Sequence, residues 1–279
     1  MIEGLPNGHP SKAKCLSELS KLFRSVGNRE EEKRLLILTL ALERERGNAS
    51  RVAHTLRLLS NVNRALGLPR EGMQQAAEAL DIYKQLGDTL GEAIGLEYLA
   101  WLLLKDHRLE AAKVAALRSI DLLLEKGQGS RVCRTHRLLG NIYRSKKEKE
   151  KAIHHFEAAL TIASPFDWHN ELFSIHRVMA ELFSDEGKFD DANAHLEQAK
   201  LHTVDNAYNL GRGMEMQARI WRKQRRLEEA RSQALRALEI HERLGAAKEA
   251  ERCKTLLREI EICRKKPRPN YNQRDRFRL

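Results

Sequence analysis

Aromatic residues make up only 5% of this 279-residue chain, and no run of eighteen apolar residues occurs anywhere in it. The first shortage argues against one large central core, and the second leaves nothing long enough to cross a bilayer as a helix. Cysteine is limited to Cys15, Cys133, Cys253 and Cys263, with no C-x-x-C pair. Reduced thiols are therefore expected, in place of a disulfide framework. Eleven histidines include the adjacent His154 and His155 and the more distant His195, yet no spacing groups three as metal ligands. Strand-period alternation is missing, as are a nucleophile elbow, an H-E-x-x-H pair and a glycine-rich phosphate loop. The expectation is an all-α, non-catalytic chain with no cofactor and no metal. The opening residues, MIEGLPNGHPSKAK, hold no apolar segment of a secretory signal, so the expected compartment is the cytoplasm.

Helical periodicity, by contrast, is abundant. In residues 130–163, SRVCRTHRLLGNIYRSKKEKEKAIHHFEAALTIA, Leu139, Gly140 and Tyr143 form one apolar stripe, and Ala152, Phe156, Ala159 and Leu160 form a second. Three- and four-residue spacings place each stripe on one helix face, with a lysine-rich turn near Lys146 between them. Gly140 is expected to face Ala152 across that turn, where a larger side chain would push the axes apart. The unit recurs every 40 residues: Leu56, Leu59, Ser60 and Asn63 superimpose on Leu96, Leu99, Ala100 and Leu103, on His136, Leu139, Gly140 and Tyr143, and on His176, Met179, Ala180 and Phe183. Gly72, Ala112, Ala152 and Ala192 align in the second segments, and a sixth copy with Ala218, Trp221 and Ala230 follows after 38 residues. The first copy is weaker, because Glu32 stands where the small residue belongs.

Punctuation gives the same register. Gly27, Gly67 and Gly187 fall where first helices should end, and Gly47, Gly87 and Gly127 where second helices should end. Pro69 suits the first turn of a helix, and Thr89-x-x-Glu92 reads as a capping box. Six hairpins are expected near 9–48, 49–88, 89–128, 129–168, 169–206 and 207–245, then a capping helix at 246–264 and a flexible basic tail at 265–279.

This alternation of small and large positions resembles the tetratricopeptide (TPR) repeat. The resemblance implies a right-handed superhelical solenoid in which the first helix of each hairpin lines the concave wall. Carried over position by position, it puts five residues of each first helix on that wall. They include Arg57, Asn61 and Arg64 in the second copy, Trp101 in the third, and Arg134, Arg137, Asn141 and Arg144 in the fourth. Arg177 follows in the fifth copy, and Arg219 and Arg222 in the sixth. Of the thirty such positions fourteen are Lys or Arg and four are Asp or Glu, so the wall accounts for about +10 of the chain's net +11. A basic concavity focuses its field on an anionic partner. Arg57-x-x-x-Asn61-x-x-Arg64 and Arg137-x-x-x-Asn141-x-x-Arg144 resemble half of the carboxylate clamp found in some TPR domains. Tyr98 and Val178 stand where the following repeats would need the other asparagines.

A narrower resemblance rests on NGHPSKAKCLSELS, EKAIHHFEAALTIASPFDWHNELFSIH, FDDANAHLEQAK and ALRALEIHERLGAAKEAERCK, with SPFDWH (164–169) the most distinctive piece. Over most of residues 8–258 the chain is similar to the C-terminal repeats of NACHT/NLR-like proteins of basidiomycete fungi. That resemblance implies a sensing or recruiting region. The nucleotide-binding loop of such proteins, G-x-x-x-x-G-K-(S/T), does not occur in this sequence. The expected function is a protein-interaction scaffold for an acidic peptide or protein segment. The other reading, nucleic acid or another polyanion, follows from the isoelectric point of about 9.6. It is weaker because only Trp101 among the inward positions offers a base-stacking surface.

Overall fold

A computed structural model describes residues 10–25, 27–203 and 206–265. The expected basic tail, Lys265 aside, lies outside the described residues. Thirteen α-helices and no strand occur among them. In order they are α1 (Pro10–Ser25), α2 (Arg29–Glu45), α3 (Ala49–Leu66), α4 (Pro69–Leu86), α5 (Thr89–Lys105), α6 (Leu109–Glu125), α7 (Gly129–Ser145), α8 (Lys149–Ala163), α9 (His169–Asp185), α10 (Phe189–Leu201), α11 (Ala207–Lys223), α12 (Leu227–Arg243) and α13 (Ala247–Lys265). No helix among the described residues is long and apolar enough to cross a membrane.

Local chemistry explains where these helices begin and end. The side chains of Asn28, Asn48, Asp88 and Asn206 each accept a hydrogen bond from the backbone N–H three residues on, answering a donor that the helix itself cannot. The capping box expected at Thr89 is replaced by a simple cap one residue earlier. The Asp88 carboxylate reaches Gly91 N at 2.8 Å, and Thr89 becomes the first helical residue. Gly27, Gly67 and Gly187 close first helices in the left-handed conformation, with φ of +79°, +81° and +75°. His107, Lys147 and Arg225 fill the equivalent turn with φ of +60°, +63° and +63°, so its geometry is kept even where no glycine eases it, at a cost of about 1–2 kcal/mol each.

The chain divides into two compact units, Met1–Glu171 and Leu172–Leu279. In the first unit α1 packs on α2, α3 on α4, α5 on α6 and α7 on α8, and α2, α4 and α6 each also meet the first helix of the following pair. In addition α3 touches α5, and α5 touches α7, so these three first helices form a layer of their own. The small positions are the contact points: Ser60, Ala100, Ala112 and Ala152 are all 0% exposed. Beneath Gly140 lies the ring of Phe156, not Ala152; a Cβ there would come within 2.4 Å of it. The spacing of α7 and α8 is therefore set by a ring seated in a glycine notch. Burying that ring completely contributes roughly 2–3 kcal/mol. Glu32, in the weaker first copy, is also fully buried, held by the guanidinium groups of Arg24 and Arg29. A short 3-10 turn, Ser164–Phe166, follows α8, and Phe166 stacks on Trp168 with ring centroids 4.9 Å apart.

In the second unit Phe173 and Ala180 of α9 pack with Ala192, Leu196 and Ala199 of α10 and with Met216 and Ile220 of α11. Ala218, Ala230 and Ala234 then join Leu256 and Ile260 of α13, so the final helix covers the last hairpin.

Candidate binding surface

The layer made by α3, α5 and α7 carries eight of the residues singled out by sequence. Trp101 of α5 is at its centre, with the guanidinium carbon of Arg64 5.9 Å from the ring centroid and that of Arg137 5.6 Å. Arg57, on the same face of α3, packs over the ring of Tyr98 at 5.5 Å. Cations placed over aromatic faces within about 6 Å are attracted by the ring quadrupole. Trp101 accordingly packs on its neighbours' guanidinium groups and stays half-buried.

Carboxylates decide how much of the positive charge remains. Glu97 of α5 is 0% exposed and takes Arg131 at 3.0 Å and Arg134 at 3.4 Å. Glu171 lies 3.7 Å from Arg134 and 3.6 Å from Arg137. Burial opposes the charge on Arg134, but Glu97 and Glu171 more than offset it and hold its pKa above the ordinary value. Arg57 and Arg64 have no carboxylate partner among the described residues. Arg57, 8% exposed, donates to His54 Nδ1 at 3.2 Å, and Arg64 donates to Asn61 Oδ1 at 2.8 Å. Desolvation pulls the Arg64 pKa down, with the neighbouring Tyr98 and, from beyond salt-bridge distance, Glu97 opposing it.

In the two Arg/Asn motifs Asn61 Oδ1 accepts from Arg64 at 2.8 Å, and Asn141 Nδ2 donates to the carbonyl of Arg137 at 3.0 Å, each within its own helix. Arg144 is half-buried one turn further along α7.

The remaining three candidates belong to the second unit, and each faces a carboxylate. Arg177 is 3.9 Å from Glu181, Arg219 is 2.9 Å from Glu215, and Arg222 is bonded to Glu259 of α13. Arg212 is held between the rings of Phe173 and Tyr208, at 5.4 and 5.6 Å.

Histidines on the first and second helices form pairs that the sequence did not announce. His136 Nδ1 lies 3.1 Å from His155 Nδ1, with Tyr143 stacked on His155. In the second unit His176 and His195 repeat the same 3.1 Å contact, with Phe183 stacked on His195. Burial, assisted by the neighbouring imidazoles, pushes His155 and His176 down to about 4. His54 is pushed to about 4 as well, by burial and then by Arg57. Above pH 6.5 these rings are neutral whether the chain is folded or unfolded. As pH falls towards 4, the unfolded chain takes up protons that the folded chain refuses, so stability is lost across that window. The expected loss between pH 7 and pH 5 is about 1 kcal/mol per histidine after allowance for solvent screening. Urea unfolding at the two pH values checks this, with the His54→Gln, His155→Gln, His176→Gln triple variant expected to show a flatter dependence.

Sequence comparison with protein-family models and with curated proteins finds no match. Solved structures do resemble the chain. A Rap protein complexed with Competence and Sporulation Factor aligns at 12% identity with a TM-score of 0.71, over 94% of this chain and 77% of that one. The Rap conjugation gene regulator of plasmid pLS20, in complex with the Phr* peptide, aligns at 12% identity and TM-score 0.64, over 90% and 74%. A putative kinesin light chain of Podosopora anserina with nearly identical TPR-like repeats aligns at 14% identity and TM-score 0.55, over 71% and 98%. The chain is thus an all-α solenoid with the fold of TPR-like repeat proteins.

Proposed function

We propose that the α3–α5–α7 layer is a non-catalytic protein-interaction surface that takes an acidic peptide or protein segment. The observation that carries this reading is the pair Arg57 and Arg64, two guanidinium groups on aromatic rings with no carboxylate partner among the described residues. Counter-charge for Arg64 is what an incoming carboxylate would supply, and Trp101 offers the apolar area beside it. Arg137 and Arg134 lie at the edge, already shared with Glu171. Two structures of the same fold hold a named factor or peptide, which is consistent with a surface of this kind. The similarity of SPFDWH and its flanking segments to fungal NLR-like repeats fits a recruiting role within a signalling protein.

Binding of a panel of acidic peptides, followed by fluorescence anisotropy, tests the proposal. Arg64→Ala with Arg137→Ala should weaken the best ligand by about 2 kcal/mol, roughly thirtyfold. Arg219→Ala with Arg222→Ala, whose guanidinium groups already face carboxylates, should change affinity little. If random single-stranded RNA binds as tightly as any peptide, and both double variants weaken it equally, the surface is a general polyanion contact and the proposal fails.

A further inference from the structure

Three side chains from the last three helices meet in the interior of the second unit. Glu215 of α11, His241 of α12 and Cys253 of α13 each place one ligand-type atom within 4.8 Å of the others. Their exposures are 6%, 0% and 0%. A buried imidazole ordinarily bonds through at least one nitrogen. Neither Nδ1 nor Nε2 of His241 has a hydrogen-bond partner among the described residues. The ring is also held in place: a Cβ on Gly211 would lie 2.8 Å from its Cε1, and Tyr208 meets it edge-on at 5.9 Å.

Glu215 is oriented from behind. Its Oε1 accepts from Arg219 Nε and Nη2 at 3.2 and 2.9 Å, and its Oε2 accepts from Arg252 Nη2 at 3.1 Å. Each carboxylate oxygen has two lone pairs, so Oε2 keeps one for another partner.

We infer that Glu215, His241 and Cys253 form a buried site for one zinc-type divalent transition ion, which would staple α11, α12 and α13 together. A thiolate with an imidazole and a carboxylate suits such an ion and not magnesium or calcium, which take oxygen donors. On binding, the S–H bond of Cys253 breaks and its proton leaves to solvent. The thiolate and the Glu215 carboxylate then balance the two charges of the ion. Metal–ligand bonds near 2.0–2.3 Å put the donor atoms of one zinc roughly 3.5 Å apart, so the cluster needs to close by about 1 Å. Arg219 and Arg252 act as positioning residues for the carboxylate. They also line a cleft of about 430 Å³ together with Leu256 and Glu259.

The test uses metal-free full-length protein carrying Cys15→Ser and Cys263→Ser, which removes the two half-buried thiols. It is titrated with Co²⁺ while thiolate-to-cobalt charge-transfer absorption is followed, a signal that the histidine pairs do not produce. Expected are saturation at one equivalent, displacement by Zn²⁺, and a higher melting temperature with zinc than with chelator. Cys253→Ser should abolish the absorption, and Arg252→Gln should keep it while weakening binding at least tenfold. Absence of the band in the Cys15→Ser, Cys263→Ser protein overturns the inference, and this result stands even if Cys253→Ser does not fold. A band that survives Cys253→Ser overturns it too, since the ion would then be held elsewhere.

Discussion

Replacing Arg131 and Arg134 together with alanine should lower stability by about 3–5 kcal/mol, and adding Glu97→Gln should return more than half of that loss. Glu97 is closed to solvent, and the two arginines hold it at 3.0 and 3.4 Å. Taking both away strands a carboxylate in the interior, where it must stay charged without a partner or take up a proton. Neutralising the acid in the same background removes the stranded charge. The arginine side chains are 24% and 33% exposed, and Arg134 keeps Glu171 within 3.7 Å. Glu97→Gln by itself should therefore cost only about 1–2 kcal/mol, because the cations left behind can still reach water. Urea denaturation of the three variants gives the ordering. A single Glu97→Gln more damaging than the double arginine variant would show that the acid is not the stranded partner.

The second large effect is expected at Gly140. On helix propensity alone, Gly140→Ala should stabilise α7 by about 1 kcal/mol. Packing works the other way, because the new methyl would sit 2.4 Å from the ring of the fully buried Phe156. Overpacking of this severity costs about 1–3 kcal/mol or more, and neither the ring nor the helix can yield without disturbing Leu138 and Leu139 beside it, both closed to solvent. A net loss of about 2 kcal/mol is expected, with Phe156→Leu in the same background recovering part of it. If Gly140→Ala proves neutral or stabilising in thermal unfolding, the notch does not set the helix spacing.

The fold was legible because it is built from local signals that repeat. Small residues at 60, 100, 140 and 180 mark helix contacts, and glycines at 27, 67 and 187 mark turns, each of which depends on one or two positions. Even the anomaly at Glu32 could be noticed, although its remedy, Arg24 and Arg29, needs three dimensions. The charged wall was less legible for a physical reason. Summing over the inward positions includes only the carboxylates located there, whereas Glu32, Glu171 and Glu259 reach the same arginines from other places in the chain. Asn61 and Asn141 look like amides waiting for a ligand until Asn61 is seen to accept from Arg64 and Asn141 to donate to its own helix. Glu215, His241 and Cys253 were not found at all. They are 26 and 12 residues apart, on three helices, and no ligand spacing links them.

Trp101, flanked by Arg64 and Arg137, also makes the surface observable. An anion drawn to either guanidinium group alters the electric field across the indole, and with it the colour and yield of its emission. Trp168, just before α9, and Trp221 of α11 supply the rest of the emission. The chain thus carries its own optical gauge of occupancy, readable without any attached dye.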